Sequence, residues 1–380
     1  MLIYALACLF FCLCFYGGYY VILLWVPKRN RVLLTNSSDA ELPTITIVVP
    51  TYNEETVIGD MLENALEVDY PIDKMEILVV DSDSKDRTRE IVEKYLIDSR
   101  VRLLSESRRG WNLAVKEACN QARGNVIVLS GADVLYHPDA LKNLCIHFAS
   151  VQIGAVAGRQ VLLNENQTYA TQLEAKYREW YHFMAQAESL IDQPFDVKGE
   201  IVAARKEIIR SILDRIGETA TVDACIPFET RACGLRLIYE PKATYSERAP
   251  LGIRERLRVQ IRRGRNLIQS TFHYMWMLWR PQYGVFGMII FPYHLALLII
   301  LPWVFLAGLG FYTASTLLHP LFGLILIPIV IVAMKKDWRI FLGSYLMSEI
   351  ALAVGLLLCT RRVPLIQRID STRKLGYQHS

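Results

Sequence analysis

No pair of cysteines in this sequence stands at the spacing of a metal clip. Cys8, Cys12 and Cys14 fall in an apolar run, and Cys119, Cys145, Cys225 and Cys233 are scattered. A structural zinc site is thereby disfavoured, and thiols placed this way fit buried or lipid-facing positions in a reducing compartment. Net charge is scarce as well: +4, from 42 basic and 38 acidic residues in 380. The overall balance therefore names no partner, and the distribution of charge matters more. Internal repeats are absent, which argues against a transporter built from repeated halves. Apolar residues, by contrast, are abundant: 52% hydrophobic, with a mean hydropathy of +0.23. The excess lies at the two ends, so it marks membrane segments and not an unusually apolar core.

Residues 2–26 are apolar or aromatic almost throughout, long enough to cross a bilayer. No basic n-region precedes this run and no small-residue cleavage site closes it, so it reads as a retained anchor, residues 1–27. Trp25, Lys28, Arg29 and Arg31 at its end place the following segment in the cytoplasm by the positive-inside rule. Near the other end, residues 283–362 hold three further apolar stretches, at about 283–312, 316–334 and 340–360, before a polar tail at 363–380. The last stretch carries Glu349 and is flanked by two basic pairs, Lys335–Lys336 and Arg361–Arg362. Both pairs cannot be inside if that stretch crosses fully, so its topology stays open. The expected protein is a multi-pass protein of the cell membrane.

Between the ends, residues 43–250 alternate strand-like and helix-like patterns. Apolar runs at 45–51, 75–81, 101–104 and 126–129 are each followed by helical periodicity, the signature of a parallel, doubly wound α/β sheet. Three of these runs end in carboxylates: Glu54, Asp81 and Asp133. Ligands of such sheets bind beyond the carboxyl ends of the strands. Asp133 could instead cap a helix starting near Pro138, but three acidic tips on one sheet point to a shared site. A strand at 155–161, a helix at 172–190 and a strand at 199–205 follow, with Asp223 near a helix start. Residues 251–281 then combine apolar positions at helical spacing with Arg254, Arg256, Arg258, Arg262, Arg263 and Arg265, and end in Phe272, Tyr274, Trp276 and Trp279. A basic amphipathic helix with an aromatic end predicts residence in the membrane interface; nucleic acid is not the expected partner, given the flanking spans.

With these residues in view, the sequence resembles the membrane-embedded inverting glycosyltransferases of family 2, of the cellulose-synthase-like branch, and among them the archaeal dolichyl-phosphate mannosyltransferases. Pro50-Thr-Tyr52-Asn-Glu54-Glu is similar to that family's first nucleotide-contacting turn, and the segment with Asp81 and Asp83 to its second. Ser130-Gly-Ala-Asp133 resembles the Asp-x-Asp metal motif, Thr221-Val-Asp223 the Thr-Glu-Asp element, and Gln260-Ile-Arg262-Arg263 the Gln-x-x-Arg-Trp motif. The departures are Gly131 in place of the first metal-motif Asp and Gly264 in place of the Trp of processive synthases. The second weakens the case for a polymerase.

The resemblance implies a GT-A, Rossmann-like domain with an interface helix and a small transmembrane domain. It further implies a nucleotide-sugar donor held by Pro50, Tyr52, Glu54, Asp81, Asp83, Arg109, Asp133, Gln260, Arg262 and Arg263. Asp133 would be the sole protein ligand of Mn²⁺ or Mg²⁺, which favour oxygen donors. Asp223 would be the catalytic base or the group that positions the nucleophile. Gly199, Arg205 and Asp223 would meet the acceptor; Arg205 may equally be read as a surface arginine and Asp223 as a cap. The expected reaction moves a sugar, mannose from GDP-mannose by the resemblance, to a polyprenyl (dolichyl) phosphate with inversion, in glycan (N-glycan) biosynthesis. A glycolipid- or polysaccharide-extending synthase using a UDP-sugar is the alternative, and a non-catalytic nucleotide-sugar-binding membrane subunit is a third.

Overall fold

The structure, a computed structural model, describes residues 1–25, 41–107, 110–216, 220–326 and 334–359. Lys28, Arg29, Arg31, Arg109, Arg361, Arg362 and the tail at 363–380 lie outside the described residues.

Strands β1 (Ile45–Thr51), β2 (Met75–Asp81), β3 (Val101–Ser105) and β4 (Val126–Ser130) form as the apolar runs predict. Of them β2 and β4 are buried along their whole length, as central parallel strands require. Helices α1 (Leu2–Trp25), α2 (Ile58–Glu67), α3 (Thr88–Tyr95) and α4 (Trp111–Gln121) precede or separate them. The remaining strands are β5 (Leu135–Tyr136), β6 (Ile153–Leu162), β7 (Ile201–Arg205) and β8 (Arg236–Glu247). The sheet order is β3-β2-β1-β4-β7-β6-β8-β5.

The sheet is mixed, which corrects the expectation of a parallel one. Strand β7 runs antiparallel to both β4 and β6, and β5 antiparallel to β8. A single-strand apolar run buried on both faces reads the same in either direction, so direction is not written in the run itself. The reversal matters for the site. Ser130 at the end of β4 pairs with Ile201 at the start of β7. The acidic tips of β1, β2 and β4, the residues preceding β7 and the ends of β6 and β8 therefore share one edge.

The other helices are α5 (Ala140–Cys145), α6 (Tyr169–Ile191), α7 (Lys206–Arg215), α8 (Val222–Ala232), α9 (Ile253–His273), α10 (Phe291–Ile299), α11 (Leu301–Leu318) and α12 (Lys336–Cys359). Thr168 starts α6 with a reciprocal cap, accepting from the Thr171 N–H while Thr171 Oγ1 accepts from its own N–H. One apolar core lies between the sheet and α2, α3 and α5. The other covers the opposite face and runs on, through Phe195, Phe228, Phe286 and Phe291, into the C-terminal helices.

Among the described residues, three helical segments are long and apolar enough to cross a membrane: Leu2–Trp25, Phe286–Leu318 and Lys336–Cys359. The first C-terminal stretch thus extends beyond its expected end at 312, because nothing in the apolar run 301–318 breaks the helix. Of the expected stretch 316–334, residues 327–333 lie outside the described residues, and Pro320–Leu326 forms 3₁₀ turns.

A buried carboxylate on α6 ties α1 and α10 to the sheet domain. Glu188 on α6 accepts from Tyr19 Oη of α1 at 2.7 Å and contacts His294 Nε2 at 2.6 Å, while its second oxygen accepts from the Phe195 N–H at 2.9 Å.

Candidate functional site

The first two turns of the shared edge are sewn together by side chains. The Asn53 N–H donates to Ser84 Oγ at 2.9 Å, the Lys85 N–H to Asn53 Oδ1 at 2.7 Å, and the Glu54 N–H to Thr88 Oγ1 at 2.6 Å. Asn53 and Asp83 take φ of 52° and 62°, the left-handed region that these two residue types tolerate best after glycine. Pro50, Tyr52 and Glu54 sit in the first turn, with Glu54 buried. Asp83 points outward and pairs with Lys85 at 2.8 Å. Asp81 is only 3% exposed; one of its oxygens receives a long 3.4 Å bond from the Ser84 N–H, and the other has no partner among the described residues. A buried carboxylate oxygen with spare capacity suits a ligand N–H or O–H.

Asp133 follows β4 on the same edge. A Cβ placed on Gly131 would lie 2.8 Å from Asp133 Oδ1, so the carboxylate folds back over the glycine. Among the described residues no group of three or more His, Cys, Asp or Glu side chains could hold a metal. Asp133 over Gly131 fits an ion held by one protein carboxylate and completed by donor phosphate oxygens.

Asp223, in the first turn of α8, is set by three hydrogen bonds to the residues just before it. Asn112 accepts from the Val222 N–H at 3.3 Å and donates to the Ala220 carbonyl at 2.6 Å, while the Thr221 N–H donates to Ser270 Oγ at 3.2 Å. Pro227, four residues on, cannot supply the N–H that the Asp223 carbonyl would otherwise accept. Burial pushes the Asp223 pKa up, and the charges of Glu200 and Asp196 add to the rise against hydrogen bonds from Thr221 and the Ala224 N–H. Gly199 faces this carboxylate: a Cβ there would lie 2.8 Å from both the Cβ and Oδ2 of Asp223. Asp223 Cβ is fixed by its helix and cannot swing away. Gly199→Ala is therefore expected to lower transfer by roughly 10–100-fold through misplacement of the carboxylate. Donor affinity, measured alongside, should stay unchanged; a fully active variant would refute the contact.

Helix α9 enters from below. Arg263 reaches the edge, against Glu200 and Glu247, whereas the buried Gln260 accepts from Arg256 of the same helix at 3.4 Å and Arg262 is half-buried. Arg263 is already paired, with Glu200 at 3.1 Å and Glu174 at 3.4 Å. It belongs to a buried network the sequence reading missed: Glu174 holds Arg178 at 2.9 Å and Arg256 at 3.2 Å, and Glu247, at the end of β8, lies 3.9 Å from Arg178. Burial raises the Glu174 pKa, but Arg178, Arg263 and Arg256 outweigh it and hold it at about 2. Burial and the neighbouring Glu200 charge push Glu247 well up. The folded-state pKa of Glu174 is depressed, so its stabilisation is complete above the ordinary carboxylate range and fades as pH falls towards 2. Glu174→Gln, which leaves the buried Arg178 and Arg256 and the half-buried Arg263 short of their anion, is expected to cost about 3–5 kcal/mol. A thermal midpoint unchanged from the parent at pH 7 would contradict the network.

Two expectations are corrected. Arg205 pairs with Val126 across β4 and β7, so it sits at the opposite end of the strands from Asp133. Its guanidinium is spent on the carbonyls of Ile153, Phe148 and Ser150, and it leaves the acceptor set. The arginines of α9 do not all face outward: Arg256 is fully buried and Arg265 nearly so, whereas Arg254 and Arg258 are exposed. Glu247 could have been found by the rule that located Asp133, a strand ending in a carboxylate, had β8 been recognised as a strand.

A mixed, Rossmann-like sheet with this acid-tipped edge and a helix entering beneath it has the GT-A fold. Residues 46–213 match the family model described as Glycosyl transferase family 2. The fold resembles that of the mannosyltransferase PcManGT from Pyrobaculum calidifontis, solved in complex with GDP-Man and Mn²⁺. The TM-score is 0.77 at 24% identity, covering 95% of this chain and 99% of that one. A beta-monoglucosyldiacylglycerol synthase of Synechocystis is 28% identical over 203 residues, 50% of this chain and 40% of that protein. A dolichyl N-acetyl-alpha-D-glucosaminyl phosphate 3-beta-D-2,3-diacetamido-2,3-dideoxy-beta-D-glucuronosyltransferase of Methanococcus voltae is 28% identical over 153 residues, 36% of this chain and 47% of that protein. The chain spans about half the length, or less, of these two curated relatives.

Proposed function

We propose that the protein is a membrane glycosyltransferase that moves one sugar, mannose from GDP-mannose, to a polyprenyl (dolichyl) phosphate carrier with inversion, its catalytic domain on the cytoplasmic side. The observation that carries this reading is the convergence of Asp133, Gly199, Asp223 and the Arg263 network on one edge, directly above helices apolar enough for a bilayer.

The donor's nucleoside lies against the joined turns, with Asp81 accepting from base or ribose. Asp133 would hold the divalent cation, which would supply charge neutralisation for the departing diphosphate. Asp223 stands across from the donor, beside Gly199, whose missing side chain leaves the approach to the carboxylate open. An acceptor hydroxyl loses its proton during attack, and Asp223 takes it. A phosphate acceptor is already anionic near neutrality, with a second pKa of about 6, and then Asp223 orients it. Arg178, whose terminal nitrogens have no hydrogen-bond partner among the described residues, is available to an anionic head group. A glycolipid-extending activity is the second reading, favoured by the raised pKa of Asp223, which suits a general base.

Purified protein in lipid is assayed with labelled GDP-mannose and other nucleotide sugars against dolichyl phosphate and a diacylglycerol glycolipid, with and without Mn²⁺. A mannosyl dolichyl phosphate product formed only with metal is expected. Absence of any lipid-linked product with every donor would overturn the proposal, and a product on the glycolipid alone would select the second reading.

A further inference from the structure

Helix α12 has the length and hydropathy of a membrane span, yet its contacts are those of a helix lying on the underside of the catalytic domain. At its start, Tyr169 Oη of α6 donates to the Arg339 carbonyl at 3.3 Å, and Ser344 Oγ donates to the Leu173 carbonyl at 3.0 Å. Midway, Met347 meets Arg256, and a Cβ on Gly264 would lie 3.2 Å from Leu352 Cδ2. At its end, a Cβ on Gly355 would lie 3.1 Å from the Arg265 nitrogen, and Cys359 Sγ is 3.8 Å from the Arg265 carbonyl. Helix α9 is itself held to the catalytic domain throughout, by Arg263 to Glu200, Ser270 to Thr221 and Tyr274 to Glu229. From Ser344 to Cys359 the rise is about 22 Å. A helix crossing a core of about 30 Å would have left the domain within its first turns.

The buried carboxylate of α12 gives an independent depth mark. Glu349 Oε1 accepts from Tyr16 Oη of α1 at 2.5 Å. Tyr16 is three residues from Tyr19, whose hydroxyl reaches Glu188 of the catalytic domain, so Glu349 lies within about 5 Å of that level along α1. In a spanning helix, Glu349 would sit near the bilayer midplane, where an ionisable group is most costly.

The geometry points to α12 as an interfacial helix. It lies in the headgroup layer of the leaflet on the catalytic side, between α6 and α9 above and α1, α10 and α11 below. Trp338, Phe341, Leu346 and Leu357 are its exposed apolar residues, suited to the acyl boundary. Lys335 and Lys336, at its start, then lie where anionic lipid headgroups attract them.

This inference rests on the membrane reading of the proposed function, and the test separates the two. Epitope tags are placed between Met334 and Lys335 and after Ser380, in sealed membrane vesicles of known orientation. Both tags are expected to be cleaved by added protease together with the catalytic domain. Tags on opposite sides would overturn the inference while leaving a membrane enzyme; recovery of the protein only in the soluble fraction would overturn the membrane reading itself. In the otherwise untagged protein, a fluorescent non-natural residue at position 341 or 357, with lipids carrying a nitroxide at the headgroup or at the acyl end, gives the second readout. Headgroup quenching equal at the two positions is expected. Depths differing by about 24 Å, the rise of a crossing helix over that interval, would refute it.

Discussion

Asp133→Ala is expected to reduce sugar transfer by at least about 10³-fold and to abolish the effect of Mn²⁺ on donor binding. Removing one preorganised electrostatic partner of a developing charge commonly costs 10²–10³-fold in rate. Here the loss is at the upper end because no second carboxylate backs it up: Gly131 stands where such a group could have been, and no cluster of three metal-ligating side chains exists among the described residues. Titrating GDP with and without Mn²⁺, by calorimetry on parent and variant, separates metal loss from misfolding. Metal-enhanced GDP binding that survives in the variant would remove Asp133 from the metal.

Asp223→Asn tests the chemistry at the other side of the cleft. With a hydroxyl acceptor, loss of a general base costs typically 10²–10⁴-fold. The pKa of Asp223 is raised by burial and by Glu200, and the base must be ionised to act. The rate of the parent enzyme should therefore fall as pH drops through that raised value, above the ordinary aspartate range, and recover as pH rises. The Asn variant should lack this acid limb. A loss below about tenfold with dolichyl phosphate, with the acid limb retained, would show that the acceptor brings its own charge and that Asp223 only orients it.

The fold was largely legible because its parallel half is written in local pattern. Runs such as Met75–Asp81 and Val126–Ser130 are apolar, β-rich and closed by a polar turn, and helical periodicity follows each. The site was legible only where it lies at the ends of those runs. Glu54, Asp81 and Asp133 follow strands, and Asp223 opens a helix; the structure brings all four elements to one edge. Arg205 failed because it follows an apolar run just as Asp133 does. Strand β7 is reversed, so its last residue falls at the far edge. The Glu174, Arg178, Arg256 and Glu247 network joins α6, β8 and α9 over more than 70 residues of chain, and no local spacing announces such a pairing.

The Glu188 joint has a consequence for the site. The carboxylate that receives Tyr19 of α1 also receives the backbone N–H of Phe195, four residues before Gly199. A disturbance of α1 at Tyr19 therefore reaches, through one side chain, the segment that sets Gly199 against the Asp223 carboxylate.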